Sequence, residues 1–182
     1  MRQRGFTLFE LLVTLTVVTV VAFIAVPALG WLVLDVRMTA DVNAFVTSIQ
    51  LARSEAAKRA APVVVCKTAD RRACGGADLY YEHGWVVFVG EDGDDGDDLL
   101  EADANGSLLF SYAPSIQGTI RSNRSRYVFR PYYRRSTNGT IVFCDRRGAG
   151  AARAVIVSYT GRPRVAVRGP GDRALECGTF ER

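Results

Sequence analysis

The chain has 182 residues, of which 48% are hydrophobic, and it carries 23 Lys and Arg against 19 Asp and Glu. This length suits one domain with an appendage and is too short for two ordinary enzyme domains. The net charge of +4 hides a division, because residues 1–120 carry a net charge of −6 and residues 121–182 a net charge of +10. All the positive charge of the C-terminal part is arginine, a pattern that favours a polyanionic partner. There is one histidine, His83, and no cluster of His, Cys and Glu, so we expect no enzymatic activity and no metal or other cofactor.

An uncharged apolar segment of 24 residues runs from Leu11 to Leu34 and is long enough to cross a bilayer as one helix. Arg2 and Arg4 precede it, which predicts a cytoplasmic N-terminus and export of everything after Asp35. A cleaved secretory signal fits poorly, because the apolar stretch is too long and no small-x-small cleavage site follows it. A plain signal anchor is the remaining alternative.

The first ten residues, MRQRGFTLFE, place a carboxylate at the edge of the apolar segment, where an acid normally needs a partner. This string resembles the class III leader of type IV pilins and pseudopilins. The resemblance implies that residues 1–5 are a leader, that prepilin peptidase cuts between Gly5 and Phe6, and that Phe6 is then methylated. It also implies that Glu10 pairs with the terminal amine of a neighbouring subunit during assembly. A mature N-terminus at Phe6 would exclude the plain signal anchor.

We expect the helix to continue beyond the membrane. Residues 6–34 would form its transmembrane and polymerisation part, and residues 35–61 an amphipathic part that ends before Pro62. Apolar residues recur there mostly at three- and four-residue steps, namely Val36, Ala40, Phe45, Ile49 and Ala52. A helix from Phe6 to Ala61 would be roughly 84 Å long.

Residues 62–182 are expected to form a β-rich periplasmic head. Seven short apolar or alternating runs predict its strands: Val63–Cys66, Trp85–Val89, Leu108–Tyr112, Tyr127–Phe129, Thr140–Cys144, Ala154–Tyr159 and Arg164–Val167. The predicted fold class is therefore α+β, the type IV pilin fold, with a long N-terminal helix packed on an antiparallel β-sheet or sandwich.

The four cysteines lie beyond the membrane segment, at Cys66, Cys74, Cys144 and Cys177. An even number of cysteines in an exported domain predicts disulfides. A metal site is disfavoured, because the sequence has no CxxC spacing. Three pairings are possible. We favour Cys66 with Cys74, which closes a short loop, and Cys144 with Cys177, which ties the tail to a core strand.

Residues 78–103 hold ten acids and no Lys or Arg. Their most acidic part, residues 91–98 (EDGDDGDD), offers oxygen ligands for calcium but lacks the spacing of an EF-hand. We interpret it as a solvated turn, with calcium binding as the weaker alternative. His83 beside Gly84 is interpreted as a surface or strand-edge residue.

Fourteen arginines follow residue 120, with tyrosines interleaved, and arginine binds phosphate bidentately. The string Gly161-Arg162-Pro163-Arg164 places two of them two residues apart, which in an extended segment is roughly 6.5–7 Å and close to the spacing of successive phosphates. The string resembles the Gly-Arg-x-Arg motif of FimT-type minor pilins, grouped with GspH. The resemblance implies that Gly161, Arg162 and Arg164 contact DNA. Charge and proximity add four supporting residues: Arg146, Arg147, Arg153 and Arg168.

Taken together, these features resemble the FimT/GspH family of minor pilins, and FimT most of all. The resemblance implies an inner-membrane prepilin that assembles with other pilin subunits into a pilus and binds double-stranded DNA during natural transformation. The alternative is a structural or priming pseudopilin of a type II secretion system, whose arginines contact other subunits.

Overall fold

The structure, a computed structural model, describes residues 7–75, 80–90, 108–132 and 135–178, without the side chains at 27 and 28. The predicted cleavage site at Gly5 and Phe6 and the acidic loop 91–98 lie outside the described residues. The chain divides into two compact units, Met1–Val36 and Arg37–Arg182. Its elements are α1 (Leu8–Arg59), β1 (Val63–Lys67), β2 (Trp85–Val89), β3 (Leu108–Tyr112), β4 (Gly118–Ser122), β5 (Arg126–Phe129), β6 (Gly139–Asp145), β7 (Arg153–Val157) and β8 (Pro163–Ala166).

The first unit contains the apolar part of α1, which is long and apolar enough to cross a membrane. Thr7 precedes the helix, and its Oγ1 accepts a hydrogen bond from the backbone N–H of Glu10 at 3.3 Å, the usual role of an N-cap residue. Glu10 lies in the first turn, where a negative charge is favoured by the helix dipole. Thr16 and Thr19 donate their hydroxyls to carbonyls three and four residues earlier. The polar groups of these threonines are therefore satisfied within the helix, as an apolar environment requires.

In the second unit, one face of α1 is buried in the head. Six buried residues follow one another at alternating steps of four and three: Met38, Val42, Phe45, Ile49, Ala52 and Ala56. Such steps place side chains on one side of a helix. The predicted stripe was wrong at its start, because Val36 and Ala40 are exposed. Phe45 lies at the centre of the core and makes edge contacts with four aromatic rings, those of Tyr81, Trp85, Tyr127 and Phe143.

The strands form two antiparallel four-stranded sheets, with the orders β3-β2-β1-β5 and β4-β6-β7-β8. The core contains alternate residues of both sheets, such as Val63 and Val65 of β1 and Val155 and Val157 of β7. The arrangement confirms the predicted α+β architecture of a long N-terminal helix and an antiparallel β head. β4 was not predicted from the sequence; it pairs with β6 along its whole length.

Two polar side chains of α1 are fully buried and anchor the head. Asp41 accepts hydrogen bonds from the Tyr112 hydroxyl at 2.9 Å and from the backbone N–H of Ile116 at 2.7 Å. Ser48 accepts one from the Trp85 indole N–H at 2.8 Å. Partial burial and the hydrogen bond to Asp41 raise the pKa of Tyr112 to about 12. These contacts fix the segment after β3 against the helix.

The structure forms the favoured pair of disulfides, with Cα–Cα distances of 5.5 Å for Cys66–Cys74 and 5.8 Å for Cys144–Cys177. The second one ties the C-terminal segment to β6. Leu175 of that segment packs in a small cluster with Cys144, Ala152 and Ala154. The tail therefore lies against the second sheet, close to the start of β7.

Candidate functional site

The Gly-Arg-Pro-Arg string closes the hairpin between β7 and β8. The N–H of Ser158 donates to the carbonyl of Arg162 at 3.1 Å, and the N–H of Gly161 donates to the carbonyl of Ser158 at 2.9 Å. Gly161 has a positive φ of 71°. This pattern is the three-residue hairpin turn in which the last position is left-handed. The sequence therefore sets the turn, and the turn sets where the two arginines emerge.

Gly161 is required for space as well as for its backbone angle. It is buried, and a Cβ atom there would lie 3.1 Å from two atoms of the Phe129 ring and 3.3 Å from the Ser136 Oγ. Ser136 also donates its N–H to the carbonyl of Tyr159 at 3.0 Å. The hairpin turn is thus seated against β5 and the segment before β6, and we expect it to be rigid.

Arg162 and Arg164 are exposed and stand two residues apart on one extended segment. Arg164 lies in β8 opposite Ile156, and Arg162 lies opposite Ser158 at the closing position of the turn. Neither guanidinium forms an ion pair with any acid among the described residues. Their donors are available to a ligand, and a guanidinium remains charged at any physiological pH.

The structure brings Arg164 together with two of the supporting arginines. A groove of about 600 Å³ is lined by residues of β8, the turn after it and the start of β7, including Arg153, Arg164 and Arg168. Arg153 donates to the carbonyls of Ala151 and Ala152. Arg168 pairs with Asp172 at 3.1 Å, with both side chains more than half exposed, so solvent screens this pair and a stronger anion can replace it.

The other two supporting arginines follow β6, and only one of them is available. Arg146 is exposed. Arg147 is bound to Asp145 through Nε and Nη2, at 3.0 and 2.7 Å, and its side chain is only 11% exposed. Burial acts to raise the pKa of the Asp145 carboxyl, but the hydrogen bonds from Arg147 outweigh it and the pKa lies below its usual value. Arg147 is therefore occupied by a structural partner and does not belong to the candidate site.

Two arginines that were not predicted for the site, Arg135 and Arg53, lie near the hairpin in the folded structure. The Arg135 guanidinium lies 5.6 Å from the centre of the Tyr159 ring, which adds a cation–π pair at the tip of the hairpin. Arg53 of α1 lines a second groove, of about 540 Å³, together with Gly161, Arg162 and Pro163. The sequence signal for Arg53 is weak, because it is one exposed arginine of a helix more than a hundred residues before the hairpin.

The described residues contain no group of three or more His, Cys, Asp or Glu side chains that could hold a metal ion. The weaker calcium hypothesis concerned residues 91–98, which lie outside the described part of the chain. His83 is exposed, and its Nδ1 lies 3.3 Å from the carbonyl oxygen of Tyr80, a local contact that suggests no chemistry.

Comparisons with known proteins agree with this fold. The family model described as "Type II transport protein GspH" matches residues 41–161, and the "Prokaryotic N-terminal methylation motif" matches residues 1–26. The first match ends at Gly161, so Arg162 and Arg164 lie just beyond it. A search of curated proteins finds no match.

Among solved structures, the chain is similar to the type IV minor pilin FimU of Pseudomonas aeruginosa strain PAO1 in two crystal forms. One comparison has 15% identity and a TM-score of 0.52 and covers 76% of this chain and 98% of FimU. The other has 16% identity and the same TM-score and covers 77% and 93%. At such identity the likeness shows the fold alone. The GspH model matches well over half of this chain, and the methylation motif matches the N-terminus. The chain therefore belongs to the GspH family of minor pilins and pseudopilins.

Proposed function

We propose that the protein is a minor pilin of the FimT type that binds double-stranded DNA without sequence preference and supports DNA uptake in natural transformation. One observation carries the proposal: Arg162 and Arg164 are exposed on a hairpin seated against the head, and neither of them has an acidic partner among the described residues. The adjoining groove adds Arg153 and Arg168. An arginine pair of this kind can bind successive phosphates through charge-assisted hydrogen bonds.

The N-terminal part fits a prepilin that is processed and then assembled. We infer that prepilin peptidase cuts after Gly5, that Phe6 becomes the methylated N-terminus, and that Glu10 pairs with the terminal amine of a neighbouring subunit. The methylation motif matched over residues 1–26 supports this inference. We place the apolar part of α1 in the inner membrane, the N-terminus in the cytoplasm and the head in the periplasm, an oxidising compartment that suits two disulfides. From there the subunit would enter a pilus.

The proposed contact is electrostatic and reads no bases. Arginines that neutralise phosphates release condensed counterions, so the affinity should fall steeply as salt rises. A single head offers few such contacts, and several subunits in one filament would raise the effective affinity through multivalency. Neither step requires catalysis.

The test is the affinity of the full-length protein, purified in detergent, for a random-sequence duplex. Replacing both Arg162 and Arg164 by Ala should weaken binding about 10-fold or more, because two charge-assisted contacts are lost. The matched control replaces Arg71 and Arg72 by Ala, which removes the same charge from two exposed residues of the Cys66–Cys74 loop. The control should bind nearly as tightly as the wild type. Equal affinity of the two double variants would contradict the site.

A second function is favoured by the description of the matched family, a type II transport protein. In that case the protein is a structural or priming pseudopilin with no role in DNA binding, and its hairpin arginines contact other subunits. The wild-type protein would then fail to bind duplex even at about 100 μM, the weak end of non-specific affinities. Neighbouring genes distinguish the two functions as well, since pilus or competence genes favour the first and a secretion operon the second.

A further inference from the structure

A second groove of about 540 Å³ lies on the hairpin where it meets the outer part of α1. It is lined by Gln50, Arg53, Ser54, Ala57, Gly161, Arg162 and Pro163. All these residues belong to the same compact unit. Both grooves lie on the β7–β8 hairpin. Arg162 lines this one, and Arg164 lines the groove described above. The two grooves therefore adjoin at the Gly-Arg-Pro-Arg string.

The lining of this groove is suited to an anion. Two guanidinium groups and an amide are present, the Ser54 hydroxyl donates to the Leu51 carbonyl at 2.9 Å, and the lining contains no carboxylate. Arg53, Ser54 and Arg162 are exposed, so the groove is open to a ligand that lies across the surface. A polymer with phosphates along its backbone fits such a groove better than a ligand that must be enclosed.

Arg53 differs from the next cations of the same helix. Lys58 and Arg59 both bind Glu55, at 3.1 and 2.8 Å, and this pairing holds the pKa of the Glu55 carboxyl below its usual value. Arg53 forms no ion pair with any acid of the described chain. Its five N–H donors are therefore available, whereas those of Arg59 are partly used.

The groove is also held in place on both sides. Ala52, directly before Arg53 in α1, and Ala56, less than one helical turn after it, are buried in the core with exposures of 0% and 2%. On the other side, Gly161 seats the turn against Phe129. Because neither backbone has to be ordered on binding, the entropic cost of binding an anion in this groove is limited to the arginine side chains and the ligand.

We propose that Arg53 is a further DNA ligand, which binds a phosphodiester group together with Arg162 while Arg164, Arg153 and Arg168 bind the backbone on the other side of the hairpin. This inference rests on the proposed function, since it extends the same DNA site to the helix. It makes the site bipartite: one part comes from the C-terminal arginine-rich region and the other from the N-terminal half of the chain.

The test is fluorescence anisotropy with a labelled random duplex and the full-length protein in detergent, at several salt concentrations. Arg53→Ala should weaken binding about 3- to 10-fold and make the slope of log K against log salt shallower by about 0.9, the value for one phosphate contact. Arg53→Lys should restore most of the slope, because it keeps the charge. Arg59→Ala is the matched control on the same helix, and it should bind like the wild type.

Further variants identify the partner of Arg53 and check the fold. If Arg53 and Arg162 share one phosphate, the loss in an Arg53→Ala, Arg162→Ala double variant should be smaller than the sum of the two single losses. The melting temperature of Arg53→Ala should be unchanged, since the side chain is exposed.

Each outcome decides one claim. If Arg53→Ala and Arg59→Ala bind equally, with equal slopes, while replacing Arg162 and Arg164 still weakens binding, the inference is overturned and the proposed function stands. If the wild-type protein shows no salt-dependent binding at all, the proposed function fails, and the inference fails with it.

Discussion

Two regions of the head carry arginines, namely β4 with the turn after β6 and the β7–β8 hairpin, and the structure uses Arg121 and Arg147 of the first region differently from the arginines of the hairpin. Arg147 is almost buried and is held by Asp145, and Arg121 is held by Glu82 and covers the Tyr80 ring at 3.7 Å. Arg162 and Arg164 are exposed and have no such acid among the described residues. The net charge of +10 after residue 120 therefore overstates the binding surface, because part of that charge stabilises the fold.

The largest expected effect comes from breaking the internal pair. Asp145→Ala removes the buried carboxylate that holds the nearly buried Arg147 guanidinium, so we expect a loss of about 3 kcal/mol in the free energy of unfolding. Arg164→Ala, on the exposed hairpin, should change it by less than about 0.5 kcal/mol. Urea denaturation of both variants measures the difference. A similar small loss in both would contradict the distinction between structural and available arginines.

The next-largest effect is expected from Gly161→Ala, a variant that tests whether the hairpin turn is rigid. Gly161→Ala places a Cβ atom against the Phe129 ring at a φ of 71°, so we expect a loss of about 1–3 kcal/mol. Because the turn then shifts, duplex affinity should also fall although no charge has changed. Gly150→Ala is the control, since a Cβ there meets nothing within 4 Å. Unchanged affinity in Gly161→Ala, despite lower stability, would show that the turn does not position the arginines.

The smallest expected effect is the pH dependence of the stability that the Asp145–Arg147 pair contributes. The folded-state pKa of Asp145 is lowered, so its contribution to stability is present above the unfolded value of about 3.9. That contribution is lost as the pH falls through the lower folded-state pKa. The stability difference between wild type and Asp145→Asn should therefore shrink below about pH 4, as thermal unfolding in an acid series would show. A difference that stays constant down to about pH 2 would mean that the pair does not lower this pKa.

The features that local sequence determines were predicted well. The long helix follows from an uncharged segment that continues into an amphipathic one, and its end at Arg59 lies just before Pro62. Seven of the eight strands were predicted at or near their observed positions. The hairpin at Gly161 follows from glycine at the one position of the turn that needs a positive φ.

The features that tertiary contacts determine could not be predicted. β4 is a five-residue strand with an arginine inside it, and it is recognisable only through its pairing with β6. The start of the buried helix stripe was ambiguous, because Val36, Met38, Ala40 and Val42 offer apolar side chains on both faces. Only in the folded head does Arg53 line a groove with the hairpin, and only there does Asp145 hold Arg147. Charge alone cannot tell these two arginines apart.

The most direct measurement of the central claim is the salt dependence of duplex binding by the full-length protein in detergent, with and without Arg162 and Arg164. We expect salt-sensitive binding by the wild type and, in the variant with both arginines replaced by Ala, a slope of log K against log salt that is shallower by about 1.8, for two lost phosphate contacts. An unchanged slope in that variant would contradict the claim that the hairpin arginines bind the DNA backbone.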